Sequence, residues 1–246
     1  ASETKDAQKA LKALKTKYQN VSPKDAKILV VLGGDGMMLK TLTSNIAKGK
    51  LIYGMNKGTV GFLLNAYSET ELNKRIENAI ETKIYPLKMI ATDIHKKKYT
   101  GIAINEVSLL RQTKMTAKIK ILLDKKIRIP SLVCDGVLLA TPAGSTAYNL
   151  SARGPILPLD TSLLALTPIC AFRPRRWPGA LISDRSEVCF EVINPDIRPV
   201  SAVAGELEVR NVHFLTIKTQ KTINFKLLFD PERNLKDRIL NEQFVP

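Results

Sequence analysis

Ile28-Leu29-Val30-Val31-Leu32-Gly33-Gly34-Asp35-Gly36 is the stretch that decides the fold. Five consecutive apolar residues, three of them β-branched, read as a strand buried on both faces, and the glycines end it abruptly. Met37 to Ala47 then has helical character. Upstream, Ala7, Ala10, Leu11, Leu14 and Tyr18 recur at helical spacing with lysines on the opposite face. Downstream, Leu51 to Gly54 gives a second strand, Gly58 to Gly61 a turn, and Glu69 to Ile80 a helix with Leu72, Ile76 and Ile80 on one face. Strands alternating with helices imply a parallel sheet of Rossmann-like α/β type. Such a domain normally begins with a strand, so the expectation is that the first strand precedes Ala1 or is missing from the sheet.

After about Pro86 the pattern changes to short strand-like runs: Gly101 to Asn105, Val107 to Leu110, Ala117 to Leu123, Leu132 to Ala140, Val188 to Val192, Phe214 to Lys218 and Ile223 to Leu228. One short helix is expected at Gly144 to Ser151, where Thr141 to Thr146 supply a turn and capping hydroxyls. The expected organisation is an α/β domain over 1–86 and a mostly β, sandwich-like domain over 87–229, with the polar tail 230–246 returning to the first.

The 246 residues are 44% hydrophobic, ample for a packed core. No apolar run approaches the roughly 20 residues needed to span a bilayer, and the lysine-rich start lacks an apolar signal core. Three scattered cysteines and two histidines suggest neither a disulfide framework nor a zinc site. A cytoplasmic protein with no membrane partner is expected. The net charge of +15 fits either a polyanion partner or multiply charged small molecules. With only 6% aromatic residues there is little to stack bases along a basic stripe, so no nucleic-acid partner is expected.

Gly33-Gly34-Asp35-Gly36 brings flexible backbone, N–H groups and a carboxylate to a helix N-terminus, where the dipole favours phosphate. No Gly-Lys-Ser/Thr follows, so it is not a P-loop. Asp35 can take a proton from an attacking hydroxyl or orient a metal ion; the plainer alternative is an N-cap in a tight turn. Lys40, one turn past Gly36, is a candidate phosphate contact. Ser145 is not read as a nucleophile, because Gly144-Ser145-Thr146 lacks the second glycine of a nucleophile elbow.

Three further blocks accompany that loop: Gly54 to Leu63, Asn105-Glu106, and Asp135 to Ser151 with its Thr-Pro-Ala-Gly-Ser-Thr-Ala-Tyr core. In order and spacing the four resemble the NAD kinase family from Ile28 to Ser151, and Gly154 to Leu157 extend the match. Gly-Gly-Asp-Gly alone is shared with lipid kinases; the threonine-proline block is far more specific. The resemblance implies phosphoryl transfer from ATP or polyphosphate to the 2′-hydroxyl of the adenosine ribose of NAD. It makes Asp35 the general base, with Gly33, Gly34 and Gly36 against NAD or the phosphates. Asn105 and Glu106 would bond the ribose, Asp135 the nicotinamide end, and Phe62 would form an apolar wall. Thr146, Ala147, Tyr148 and Ser151 would line the adenine side, and Ala143 completes the nucleotide-binding set. Mg²⁺ or another divalent cation is expected, held mainly by phosphates, with no protein ligand assigned. A homodimer or homotetramer is also implied.

Two other classes stay open at this level: a lipid or other small-molecule kinase of the same superfamily, and a non-catalytic basic protein binding nucleotides or nucleic acid. Past Leu157 the resemblance thins. Phe172 to Trp177 is a basic, aromatic segment that suits an anion or a subunit contact, and Gly205 stands where the family commonly carries an acidic residue.

Overall fold

The computed structural model describes residues 1–58, 61–175 and 177–231. Thr59 and Val60 of the expected Gly58–Gly61 turn, Arg176, and the tail beyond 231 lie outside the described residues. The chain divides into two units, Ala1–Ile84 with the segment from Asn224 on, and Tyr85–Ile223. Among the described residues no helix is long and apolar enough to cross a membrane.

In the first unit, helix α1 (Lys5–Lys17) starts at Thr4, whose hydroxyl accepts the Ala7 N–H, and buries Ala7, Ala10 and Leu14. Strand β1 (Ile28–Gly33) leads into α2 (Asp35–Thr43), a 3₁₀ turn Asn45–Ala47 follows, and β2 (Leu51–Asn56) pairs parallel with β1 from Ile28↔Leu51 to Gly33↔Asn56. Helix α3 is shorter than the expected Glu69–Ile80. It spans Leu72–Asn78, because Glu71 is left-handed at φ 54°, Ala79 is extended, and Ile80 opens β3 (Ile80–Ile84). The sheet order is β1-β2-β16-β3, where β16 is Phe225–Phe229, parallel to β2 and antiparallel to β3. Phe225–Phe229, read from the sequence as part of the β domain, therefore belongs to this sheet, and the chain returns before residue 230. Among the described residues β1 is an outer strand, with the Ser2 N–H donating to Leu32 O at 2.8 Å beside it.

The second unit is a sandwich of two six-stranded sheets. One contains β5 (Lys98–Ala103), β4 (Leu87–Asp93), β15 (Val212–Thr219), β12 (Val188–Val192), β7 (Ala117–Leu123) and β8 (Lys126–Cys134), in that order. The other runs β11 (Ala180–Ser183), β10 (Leu163–Ile169), β9 (Gly136–Ala140), β6 (Glu106–Arg111), β13 (Val200–Ala204) and β14 (Leu207–Val209). One core joins them, with Met89, Ile119, Phe190 and Leu215 from the first sheet meeting Leu109, Val137, Leu166 and Ala202 from the second. The expected strand Leu132–Ala140 is two strands. The chain crosses from one sheet to the other at Asp135, and Gly136 follows because a Cβ there would lie 2.2 Å from Leu109 O. A second crossing, between β5 and β6, falls at Ile104-Asn105.

Candidate active site

In the first unit the loop after β1 is packed backbone on backbone. The Lys57 N–H donates to Gly33 O at 2.8 Å, and a Cβ on Gly58 would stand 3.1 Å from the Cα of Gly34. A side chain at Gly58 would push on that backbone. Gly34 is the N-cap of α2 and makes no side-chain cap bond, so Asp35 is not the N-cap that the plainer reading supposed; it is the first helical residue. Its carboxylate turns instead to the Gly61–Leu64 segment, where Oδ2 accepts the Phe62 N–H (2.8 Å) and Oδ1 the Leu63 N–H (3.0 Å). Both oxygens are thereby oriented by backbone N–H groups. Gly36 is exposed beside it and Phe62 half-buried. Lys40 lies in the last turn of α2, roughly 140° round the helix from Asp35 at 100° per residue, so it does not share the carboxylate's face.

In the second unit the two sheet crossings bracket one ladder. β6 and β9 pair from Glu106↔Ala140 to Leu110↔Gly136. At about 3.3 Å per residue this puts Glu106 and Asp135 roughly 17 Å apart, near opposite ends of the ladder. Asn105 is held by its backbone: Asn105 O accepts the Thr141 N–H at 2.8 Å, and a Cβ on Gly144 would sit 2.2 Å from that same oxygen. Asn105 Oδ1 and Glu106 Oε2 are both buried, with no hydrogen-bond partner among the described residues. Burial pushes the Glu106 carboxyl up to about 7. At the other end Asp135 is paired with Arg111, Nε to Oδ1 at 2.6 Å, both side chains about one-third exposed.

The Thr141–Ser151 block covers this ladder. The Thr141 hydroxyl donates to Ile104 O (2.7 Å) and accepts the Gly144 N–H; the Ser145 hydroxyl donates to Pro142 O (2.7 Å) and accepts the Leu157 N–H (2.9 Å). These hydroxyls knit the loop together and cap no helix. The helix itself, α4, is only Tyr148–Ser151, with Ala147 as N-cap and no side-chain cap bond, against the expected Gly144–Ser151. Fully buried Ser145 is a strut, not a nucleophile. Asn149, equally buried, donates to Ser145 O and Pro155 O and accepts the Thr167 hydroxyl at 2.6 Å. Tyr148 packs on Leu138, Ala140, Leu157 and Ala165. Its phenol is raised by burial first and then by the negative charges of Cys170, Glu106 and Asp135. Ala143 is buried, Thr146 and Ala147 are half-buried, and Ser151 is exposed.

A family model described as the ATP-NAD kinase C-terminal domain matches residues 104–232. The chain named NAD kinase from Caulobacter vibrioides is 53% identical over 99% of this chain and 94% of its own length. Its counterpart from Rhizobium meliloti is 51% identical over 99% and 95%. The chain belongs to the NAD kinase family. Two solved structures share the fold, each with a TM-score of 0.75 and 23% identity. The NAD kinase from Archaeoglobus fulgidus in complex with ATP aligns over 97% of this chain and 94% of its own. Yeast NADH kinase complexed with NADH aligns over 88% and 65%.

For an NAD kinase the described geometry sorts the expected residues plainly. Asn105, Glu106, Tyr148 and Asp135 gather along one ladder, Asp35 and Phe62 meet across one turn, and Lys40 stands apart from its carboxylate. Three further residues support these, Asn65 and Arg111 outside the quoted blocks and Asn149 inside the Asp135–Ser151 block. Arg111 pairs with Asp135, Asn149 braces the block beneath Tyr148, and Asn65 lies directly behind the turn that holds Asp35. Gly205, where the family commonly has an acid, opens the two-residue turn between β13 and β14 at φ 60°, and a Cβ there would lie 2.8 Å from Ile102 O. That conformation and that contact favour glycine.

Proposed function

We infer that this chain phosphorylates NAD to NADP, transferring the terminal phosphate of ATP to the 2′-hydroxyl of the adenosine ribose. The observation that carries the acceptor half is the pair of buried, unpartnered oxygens on Asn105 and Glu106. A buried acceptor without a donor costs about 1–3 kcal/mol, and a ribose brings O–H donors to it, the 3′-hydroxyl to this pair while the 2′-hydroxyl turns its proton to Asp35. Asp35 acts as general base on the 2′-hydroxyl, its two oxygens oriented by the Phe62 and Leu63 N–H groups. Gly33, Gly34 and Gly36 let phosphate approach the backbone at the start of α2, where the dipole favours anions. Tyr148 offers the adenine an apolar face, with Ala143, Thr146, Ala147 and Ser151 beside it, and Asp135 binds the nicotinamide carboxamide with Arg111 holding its carboxylate.

Phosphoryl transfer is mainly positioning and charge neutralisation. Mg²⁺ would neutralise the donor's phosphate charge. Its ligands would be mainly the donor's phosphates, and no protein ligand is assigned. Polyphosphate as a second donor, a homodimer or homotetramer, and a cytoplasmic location complete the proposal. The α/β unit would carry the base and the phosphate loop, and the β unit the NAD contacts.

The test is to incubate the purified protein with NAD, ATP and Mg²⁺ and to follow NADP with an NADP-specific dehydrogenase. NADP formation at a steady rate is expected. Absence of NADP while NAD still binds by calorimetry would mean another acceptor or donor.

A further inference from the structure

Asn65 is fully buried and forms four hydrogen bonds at one point of the first unit. Its side chain donates from Nδ2 to Leu228 O (2.9 Å) and accepts the Asp230 N–H at Oδ1 (2.9 Å). Its backbone N–H donates to Gly54 O (2.7 Å), and its carbonyl accepts the Asn56 N–H (2.8 Å). Asn65 thus bolts β2 to the end of β16. The next residue is fixed as well, since Arg75 Nη2 donates both to Ala66 O (2.8 Å) and to Asp230 Oδ2 (2.6 Å), while the Tyr53 hydroxyl donates to Asp230 Oδ1 (2.6 Å). The residues two and three places before Asn65 are Leu63 and Phe62, whose N–H groups hold the two oxygens of Asp35.

We propose that Asn65 is a positioning residue for phosphoryl transfer, fixing the Gly61–Leu64 turn so that its two N–H groups aim the Asp35 carboxylate. Removing the Asn65 side chain leaves Leu228 O and the Asp230 N–H without it and frees the turn's anchor. A displacement of about 1 Å at a reacting group is enough to cost roughly 100-fold in rate. The effect is read first in turnover, because the four hydrogen bonds of Asn65 go to Gly54, Asn56, Leu228 and Asp230, none of them assigned to NAD.

The inference rests on Asp35 as base, so Asp35→Asn is assayed alongside. Asn65→Ala and the isosteric Asn65→Asp, which sets an oxygen against Leu228 O, are measured for kcat and for KM of NAD and of ATP, well below their thermal midpoints. Leu72→Ala, a truncation in the same core, serves as a control for destabilisation alone. The expected result is a kcat loss of about 10–100-fold in both Asn65 variants, with KM for NAD within about threefold and the Leu72 variant near the parent. Parent-like kcat in a folded Asn65 variant, or an equal loss in Leu72→Ala, overturns the proposal. If Asp35→Asn stays active, it is the base assignment that fails. Hydrogen exchange on the unmutated protein decides the matter should neither variant fold: the amides of Phe62, Leu63 and Asn65 open together if one unit holds them, and independent opening overturns the coupling.

Discussion

The carboxylate of Asp35 and the backbone N–H of Phe62, 27 residues apart in the chain, meet at 2.8 Å. Leu63 binds the other oxygen, so this side chain, the proposed base, is also a joint between the loop after β1 and the turn after β2. The two roles respond differently to substitution. Asp35→Asn keeps the shape but replaces one acceptor by an NH₂ group, which faces a backbone donor. The expected outcome is a kcat loss of about 10²–10⁴ together with a stability loss of about 1–3 kcal/mol, read from a steady-state assay and a denaturant titration. An active variant, or one as stable as the parent, would contradict the dual role.

Gly144 is set by close approach. A Cβ there would lie 2.2 Å from Asn105 O and 2.5 Å from Asn105 Cα, with no flexible side chain to give way. Gly144→Ala must therefore displace the corner that carries Asn105 and Glu106. Overpacking of this kind costs about 1–3 kcal/mol, and KM for NAD should rise at least roughly tenfold, more than KM for ATP does. Calorimetry with NAD checks it, and unchanged affinity would detach the corner from acceptor binding.

Ser145 separates this site from serine-nucleophile chemistry. Its hydroxyl is committed to Pro142 O and the Leu157 N–H inside a fully buried environment. Ser145→Ala should leave the chemical step intact and lower stability by about 1–2 kcal/mol, through the loss of two buried bonds. A fluorophosphonate probe should label neither protein.

The first half of the fold was legible because its elements announce themselves locally. Residues Ile28 to Leu32 have no periodicity except uniform apolarity and end at glycines, and α1 has a clean stripe. What stayed hidden depends on partners distant in sequence. Ile80 looks like the last turn of a helix and becomes a strand because β16, about 145 residues on, is there to pair with it. β10 was missed because Pro168 interrupts it, and β13 and β14 because a three-to-five-residue strand carries little alternation. Within the site the motif residues could be named, since their types match their chemistry. Asn65 and Arg111 could not, and Asn149, though inside the Asp135–Ser151 block, shows no role there: a lone asparagine or arginine shows its worth only when the bonds it closes are visible.

Glu106 gives the site a pH signature. Burial raises its carboxyl to about 7, against roughly 4.3 for an ordinary glutamate. A raised carboxyl means that between those values the folded protein keeps a proton the unfolded chain has lost. Stability therefore falls as pH rises through that window and levels off above it. Glu106→Gln removes the penalty, so the variant should match the parent near pH 4.5 and exceed it at pH 8, by about 3–4 kcal/mol at most. Ligand binding should run the other way. An ionised Glu106 accepts bonds from ribose hydroxyls better than a protonated one, so NAD affinity should improve up to about tenfold from pH 6 to pH 8 in the parent, with proton release. Glu106→Gln should bind more weakly at pH 8 and show a flat profile. Calorimetry in two buffers of different ionisation enthalpy measures both the affinity and the protons released. A parent whose NAD affinity ignores pH would place Glu106 away from the bound ribose.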